Sequence, residues 1–285
     1  MAKLSLSEAG LHRVPVLGGA LAVDVHPGTT EPVLAVHGIS SHRRLWNWLR
    51  AEMPELTLIA PDLRGRADSL DVAGASDVRQ HAEDMVAVLD AAGLDSVHVV
   101  GMSMGGFVAM ELAHRFPERV RSLVLVDGGF PMAQPPGLTP EMLPQVFADR
   151  LARLEHEWEP EEFVQFFTSN TAPLLDADDP LLRDYLELDL DASGKVRLSG
   201  DALLTDASSV FFAEPAWQSL DLPIRFLHAE WATGEGTSPA YPDVTDYAKA
   251  CVDVRFVPGT DHASSIMSAK GAAVTAELLR LALVQ

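Results

Sequence analysis

Four short apolar runs in the first half of the chain, 32–37 (PVLAVH), 56–60 (LTLIA), 96–101 (SVHVVG) and 120–127 (VRSLVLVD), alternate with segments of helical spacing. A strand that is apolar at nearly every position is buried on both faces. Such strands belong to mostly parallel sheets with helices packed on either side. The intervening segments fit that role. Residues 42–53 (HRRLWNWLRAEM) place apolar side chains at helical intervals. Residues 77–94 set Val78, Ala82, Met85, Val86, Val88 and Leu89 on one stripe, with Gly93 near its end. Residues 104–115 read as a helix stopped at Pro117.

The chain opens with two runs, LHRVPV and ALAVDVH, separated by Gly18-Gly19, which predicts a hairpin. Strand signals return only at 223–229 (PIRFLHA) and 252–259 (VDVRFVPG), before a closing helix over 272–284. The expectation is an α/β fold with a mostly parallel, eight-stranded sheet flanked by helices. Between Gly129 and about Ala216 the pattern is helical only, around 140–156, 160–169, 178–189 and 200–213. Residues 131–215 are therefore expected to form an inserted helical cap, over a core made of 1–130 and 216–285. Aromatic residues gather in the insert: Phe147, Trp158, Phe163, Phe166, Phe167, Phe211 and Phe212. Some would fill the cap's own interior, and the others would line a pocket beneath it.

Composition narrows the function. The 285 residues carry 41 acidic against 21 basic side chains, a net charge of −20. A surface this negative argues against nucleic acid and anionic membranes as partners. No apolar run approaches the ~18 residues of a membrane span. The first residues, MAKLSLSEAGLHRVPVLGG, lack the apolar stretch and cleavage signal of a secretory leader. The expectation is a cytoplasmic protein. The sole cysteine, Cys251, lies in a strand-like run and reads as a small buried hydrophobe.

The stretch VVGMSMGGFVAM holds the chemistry. Gly101-Met102-Ser103-Met104-Gly105 is GxSxG, between a predicted strand and a predicted helix, the context in which this motif makes a nucleophile elbow. The turn is sharp enough to exclude side chains two positions either side of the serine. The hydroxyl would stand above the C-terminal edge of the sheet, at a helix end that favours negative charge.

Together with His37-Gly38, Asp62-Leu63-Arg64-Gly65 and Gly259-Thr260-Asp261-His262, this stretch resembles the α/β-hydrolase superfamily over nearly the whole length. The resemblance implies Ser103 as nucleophile and His262, in the loop before the last helix, as its base. It also implies an oxyanion hole from the backbone N–H groups of Met104 and Ile39. His37 would shape the oxyanion loop and, with Met102 and Trp46, lie at the substrate. The turn DLRGRADS, with Ala67 where the family has its second glycine, reads as structural. His81 and His114 read as structural or solvated, and His228 as a satisfied core histidine. The resemblance implies no metal and no organic cofactor.

The triad acid departs from the common pattern. Many relatives carry it a few residues after the strand that here is PIRFLHA, where the chain reads HAEWATGEG and offers only Glu230 and Glu235. Asp127 ends VRSLVLVD and is followed by Gly128-Gly129. Some superfamily members place the acid there, and Asp127 is taken first, with Glu230 and Glu235 as alternatives and Asp261 as a weak candidate. The expected activity is hydrolysis of a small or medium apolar ester or lactone through an acyl-enzyme. Carbon–carbon bond hydrolysis or perhydrolysis on the same triad, and a ligand-binding protein without turnover, remain as alternatives.

Overall fold

The hairpin and the apolar runs become eight strands of one sheet: β1 (Gly10–Val16), β2 (Gly19–His26), β3 (Val33–Val36), β4 (Leu58–Pro61), β5 (Val97–Met102), β6 (Val120–Val126), β7 (Ile224–Ala229) and β8 (Asp253–Val257). The computed structural model describes residues 4–134, 136–212, 214, 216–231 and 239–284. The strand order is β1-β2-β4-β3-β5-β6-β7-β8. The β1–β2 and β2–β4 pairs are antiparallel, and every pair from β4 onward is parallel. β3, β4, β5 and β7 are buried at each position, which is why those segments read as unbroken apolar runs.

Helices α1 (Asn47–Glu52), α2 (Val78–Ala92) and α3 (Met104–Arg115) lie between the early strands. α4 (Leu143–Val146), α5 (Ala148–Glu155), α6 (Pro160–Asn170), α7 (Pro180–Asp189) and α8 (Gly200–Phe212) lie between β6 and β7, and α9 (Thr245–Ala248) and α10 (Ala269–Leu283) follow. α2 and α3 pack into one core cluster, α1 and α10 into another, so the sheet is covered on both faces. α2 starts where the Asp77 carboxylate accepts the Gln80 N–H at 2.7 Å, and it ends at Gly93 in the left-handed region. None of the described helices is long and apolar enough to cross a membrane.

Several boundaries differ from the sequence reading. The 42–53 segment is a 3₁₀ turn, Arg43–Trp46, followed by the short α1. The 140–156 segment breaks into a 3₁₀ turn, α4 and α5. Pro144 has no N–H with which to carry the first turn on into a longer helix. Cys251 precedes β8 and is half-buried, and burial pushes its thiol up to about 12.

The helices between β6 and β7 dock on the core through polar pairs. Trp48 Nε1–H donates to Asp179 at 3.0 Å, and Asn47 to Asp184 at 2.8 Å. On α8, the fully buried Asp206 faces Arg66 at 2.5 Å and His81 at 3.0 Å. His81 is thus a buried polar partner of Asp206 rather than a solvated residue. Burial opposes the ionisation of Asp206, but His81 and Arg66 outweigh it and hold its carboxyl at about 2. A depressed folded-state pKa stabilises above the unfolded value of 3.8 and is lost as pH falls toward 2. Asp206→Asn leaves Arg66 buried without its counter-charge and is expected to cost about 3 kcal/mol of stability. Urea midpoints at neutral pH check this, and a midpoint equal to the native one would show the pair contributes nothing.

Candidate active site

β5 and α3 are separated by one residue, Ser103. Its backbone stands at φ 54°, ψ −123°, a conformation that costs on the order of 1–3 kcal/mol for a residue with a Cβ. The surroundings enforce it. A Cβ at Gly105 would collide with the Val36 carbonyl at the end of β3, and one at Gly128 with the backbone of Ser103 itself. Ser103 N–H donates to the Val126 carbonyl at 3.0 Å, and Gly106 N–H to the Ser103 carbonyl at 2.9 Å. The elbow is clamped between β3, β6 and the loop after β6, with Ser103 8% exposed.

Asp127 follows β6 directly, also at positive φ, 44°. Its N–H donates to the Leu227 carbonyl of β7 at 2.7 Å. One carboxylate oxygen accepts the Ala229 N–H at 3.0 Å and the other accepts His262 Nδ1–H at 2.6 Å. With Nδ1 committed as a donor, Nε2 is left as the acceptor. Glu230 is placed differently. Its carboxylate accepts the Gly259 N–H at 2.7 Å and holds the loop after β8. Glu235 lies outside the described residues. Asp261 turns away from His262 and accepts the N–H and hydroxyl of Ser264, each at 2.7 Å.

Ser103, His262, Ile39, Met104 and Met102 line one cavity of about 690 Å³. The Ile39 carbonyl accepts two N–H groups of Arg66, at 3.0 and 2.9 Å, so the guanidinium that pairs with Asp206 also holds the loop after β3. Among the described residues, the N–H groups of Ile39 and Met104 have no protein acceptor. Met104 is the first residue of α3, where helix geometry leaves N–H groups without intrahelical partners.

Two residues expected at the substrate are placed elsewhere. Trp46 is fully buried in the core cluster with α1 and α10, while its neighbour Leu45 lines the cavity. The 3₁₀ turn at Arg43–Trp46 sets this orientation. His37 is buried below the cavity lining. Its Nδ1–H donates to the Gly38 carbonyl at 2.8 Å, and Nε2 accepts the Leu63 N–H at 2.9 Å. Burial holds its pKa well below the usual histidine value, so it stays neutral and ties two loops together. His228 is buried against Phe226, but its Nδ1 lacks a hydrogen-bond partner among the described residues, unlike a satisfied core histidine.

Of the aromatic residues between β6 and β7, Phe147, Phe167 and Phe211 line the cavity, whereas Trp158, Phe163 and Phe166 pack on one another. Tyr185 and Arg150 also line the cavity and were not singled out from sequence. A second cavity of about 690 Å³, beside Trp158 and Arg183, includes neither Ser103 nor His262.

Comparison with known proteins agrees with this architecture. A model of the Alpha/beta hydrolase family matches residues 33–277. Lipase LipV of Mycobacterium tuberculosis is 38% identical over 112 residues, which is 38% of this chain and 42% of the lipase. The 2-hydroxy-6-oxo-2,4-heptadienoate hydrolase of Pseudomonas putida is 39% identical over 118 residues, 39% of this chain and 42% of that protein. These matches span less than half the length of either relative. The structure of E-2-(acetamidomethylene)succinate hydrolase superposes with a TM-score of 0.77 over 98% of this chain and 100% of that one, at 21% identity. At that identity the likeness is one of fold.

Proposed function

The chain belongs to the alpha/beta hydrolase family, and from that premise we propose that it is a serine hydrolase cleaving esters or lactones with an apolar body. The observation that carries this reading is the 2.6 Å bond from His262 Nδ1–H to Asp127, in a loop that shares a cavity with Ser103 on its strained elbow. A serine hydroxyl needs a base to become a nucleophile, and a neutral imidazole with a free Nε2 is that base.

In the proposed cycle, Ser103 Oγ attacks the substrate carbonyl and Nε2 of His262 takes its proton. Asp127 stabilises the resulting imidazolium. The developing oxyanion is held by the N–H groups of Ile39 and Met104, neither of which has an acceptor among the described residues. His262 then protonates the departing alcohol, leaving an acyl group on Ser103. A water molecule, deprotonated by His262, releases the acid and restores the serine. The apolar walls, among them Leu45, Phe147, Phe167, Val210 and Phe211, favour a hydrophobic substrate body.

The first test is mass spectrometry after incubation with a fluorophosphonate. One adduct on Ser103, absent from Ser103→Ala, is the expected result. A folded native protein that stays unlabelled would overturn the reading. The Pseudomonas putida relative is named for a hydroxy-oxo dienoate, a compound without an ester bond. That favours, as a second reading, carbon–carbon bond hydrolysis on the same three residues. Turnover of vinylogous diketones in preference to esters would select it.

A further inference from the structure

We infer that Arg150 makes the cavity selective for ester substrates that carry a carboxylate at a distance from the scissile carbonyl. The inference rests on the hydrolase reading above and names a substrate class within it.

Arg150 sits on α5 and lines the same cavity as Ser103 and His262. No Asp or Glu is among the described residues that line it. The guanidinium lies over the Phe147 ring, 5.3 Å from its centroid, which limits its orientations. Among the described residues no carboxylate reaches it. Its pKa is lowered, first by burial and then by the Arg153 cation, with no acidic neighbour acting the other way.

Arg13, Arg50, Arg153 and Arg225 likewise have no ion pair among the described residues, but of these five arginines only Arg150 lines the cavity that holds Ser103 and His262. Arg43, Arg64, Arg66 and Arg197 each hold a carboxylate of this chain. A partly desolvated cation without a partner is costly, and an anion bound from solution offsets that cost. The surface carries a net charge of −20 and repels anions in general. A carboxylate group therefore needs a local cation to enter, and Arg150 supplies it where the rest of the lining is mostly apolar. Guanidinium suits the task, because its planar fork can meet both carboxylate oxygens.

The test compares half-esters of dicarboxylic acids from succinate to suberate, and ω-acetoxy carboxylates of similar length, each with its neutral methyl ester. For the best length, kcat/KM of the carboxylate is expected to exceed that of the neutral ester by about tenfold or more. Arg150→Met should lower this ratio at least about tenfold and Arg150→Lys should retain part of it. Arg153→Met, on the same helix but stacked over Phe166, should leave the ratio unchanged. A general loss of fold would lower both rates together and leave their ratio in place.

A neutral-ester preference at every length, or a carboxylate preference that survives in Arg150→Met, would overturn the inference while leaving the serine hydrolase reading intact. Should no ester turn over and Ser103 stay unlabelled, the hydrolase reading fails separately. Thermal shift then decides on Arg150 alone. Millimolar dicarboxylates should raise the native Tm and not that of Arg150→Met, and equal shifts in both would exclude the site.

Discussion

Asp127→Asn is expected to lower kcat by about 10⁴-fold at neutral pH, with the protein still folded. The reason is the tautomer. Asp127 accepts His262 Nδ1–H at 2.6 Å through one oxygen and the Ala229 N–H at 3.0 Å through the other. In the variant the side-chain oxygen keeps the Ala229 bond, and the new amide presents N–H to the imidazole. Nδ1 must then accept, so the ring proton moves to Nε2, the position needed to take the proton of Ser103. The backbone should tolerate the change, since Asn readily adopts the positive φ of 44° seen at this position. Steady-state kcat with unfolding midpoints checks both halves. Glu230→Gln is the matched control. It keeps an acceptor for the Gly259 N–H and does not touch His262, so its kcat should stay near native. Near-native turnover in Asp127→Asn would remove Asp127 from the triad and turn attention to Glu235.

The ambiguity between these acids has a structural origin. β6 and β7 are neighbouring parallel strands, so their C-terminal ends lie side by side. A carboxylate from either end could approach the same histidine, and sequence spacing does not choose between them. Among the described residues, Asp127 at the end of β6 sets its carboxylate against His262, and Ala229 at the end of β7 donates its backbone N–H to that carboxylate. The elbow at Ser103, by contrast, was legible because its glycines stand at fixed positions around one serine, although the contacts that require them include the Val36 carbonyl at the end of β3 as well as the local Gly101–Gly105 approach.

The sheet was legible for a similar reason. Burial of β3 to β7 on both faces leaves an unmistakable composition, whereas the half-buried edge strand β8 starts one residue later than its apolar run suggested. Pocket residues were read least well. Trp46 lies in the core and Leu45 lines the cavity where a 3₁₀ turn replaces α-helix. Arg150 on a short amphipathic helix has the appearance of a solvated residue, and only the folded arrangement sets it on the wall of the cavity that also holds Ser103. Long-range placement of the inserted helices decides such positions, and local sequence carries little of it.

Ser103→Ala is expected to have the largest effect, a fall in kcat of about 10⁶-fold. The substitution keeps the Cβ, so the strain at φ 54° is unchanged, and both backbone bonds of the elbow, to Val126 and from Gly106, remain. The loss therefore reports chemistry rather than folding. Acceleration over water should not vanish, since the oxyanion donors and the cavity survive, and about 10³- to 10⁴-fold of residual catalysis is the precedent for such sites. The more searching measurement is the double variant Ser103→Ala with Asp127→Asn. If Asp127 acts only by orienting His262, and His262 only by activating Ser103, then removing the serine leaves the acid nothing to do. The double variant should be no slower than Ser103→Ala alone. A further loss approaching that of Asp127→Asn by itself would mean that the residual reaction of Ser103→Ala runs through water activated by the Asp127–His262 pair, so that the pair does not act through Ser103 alone.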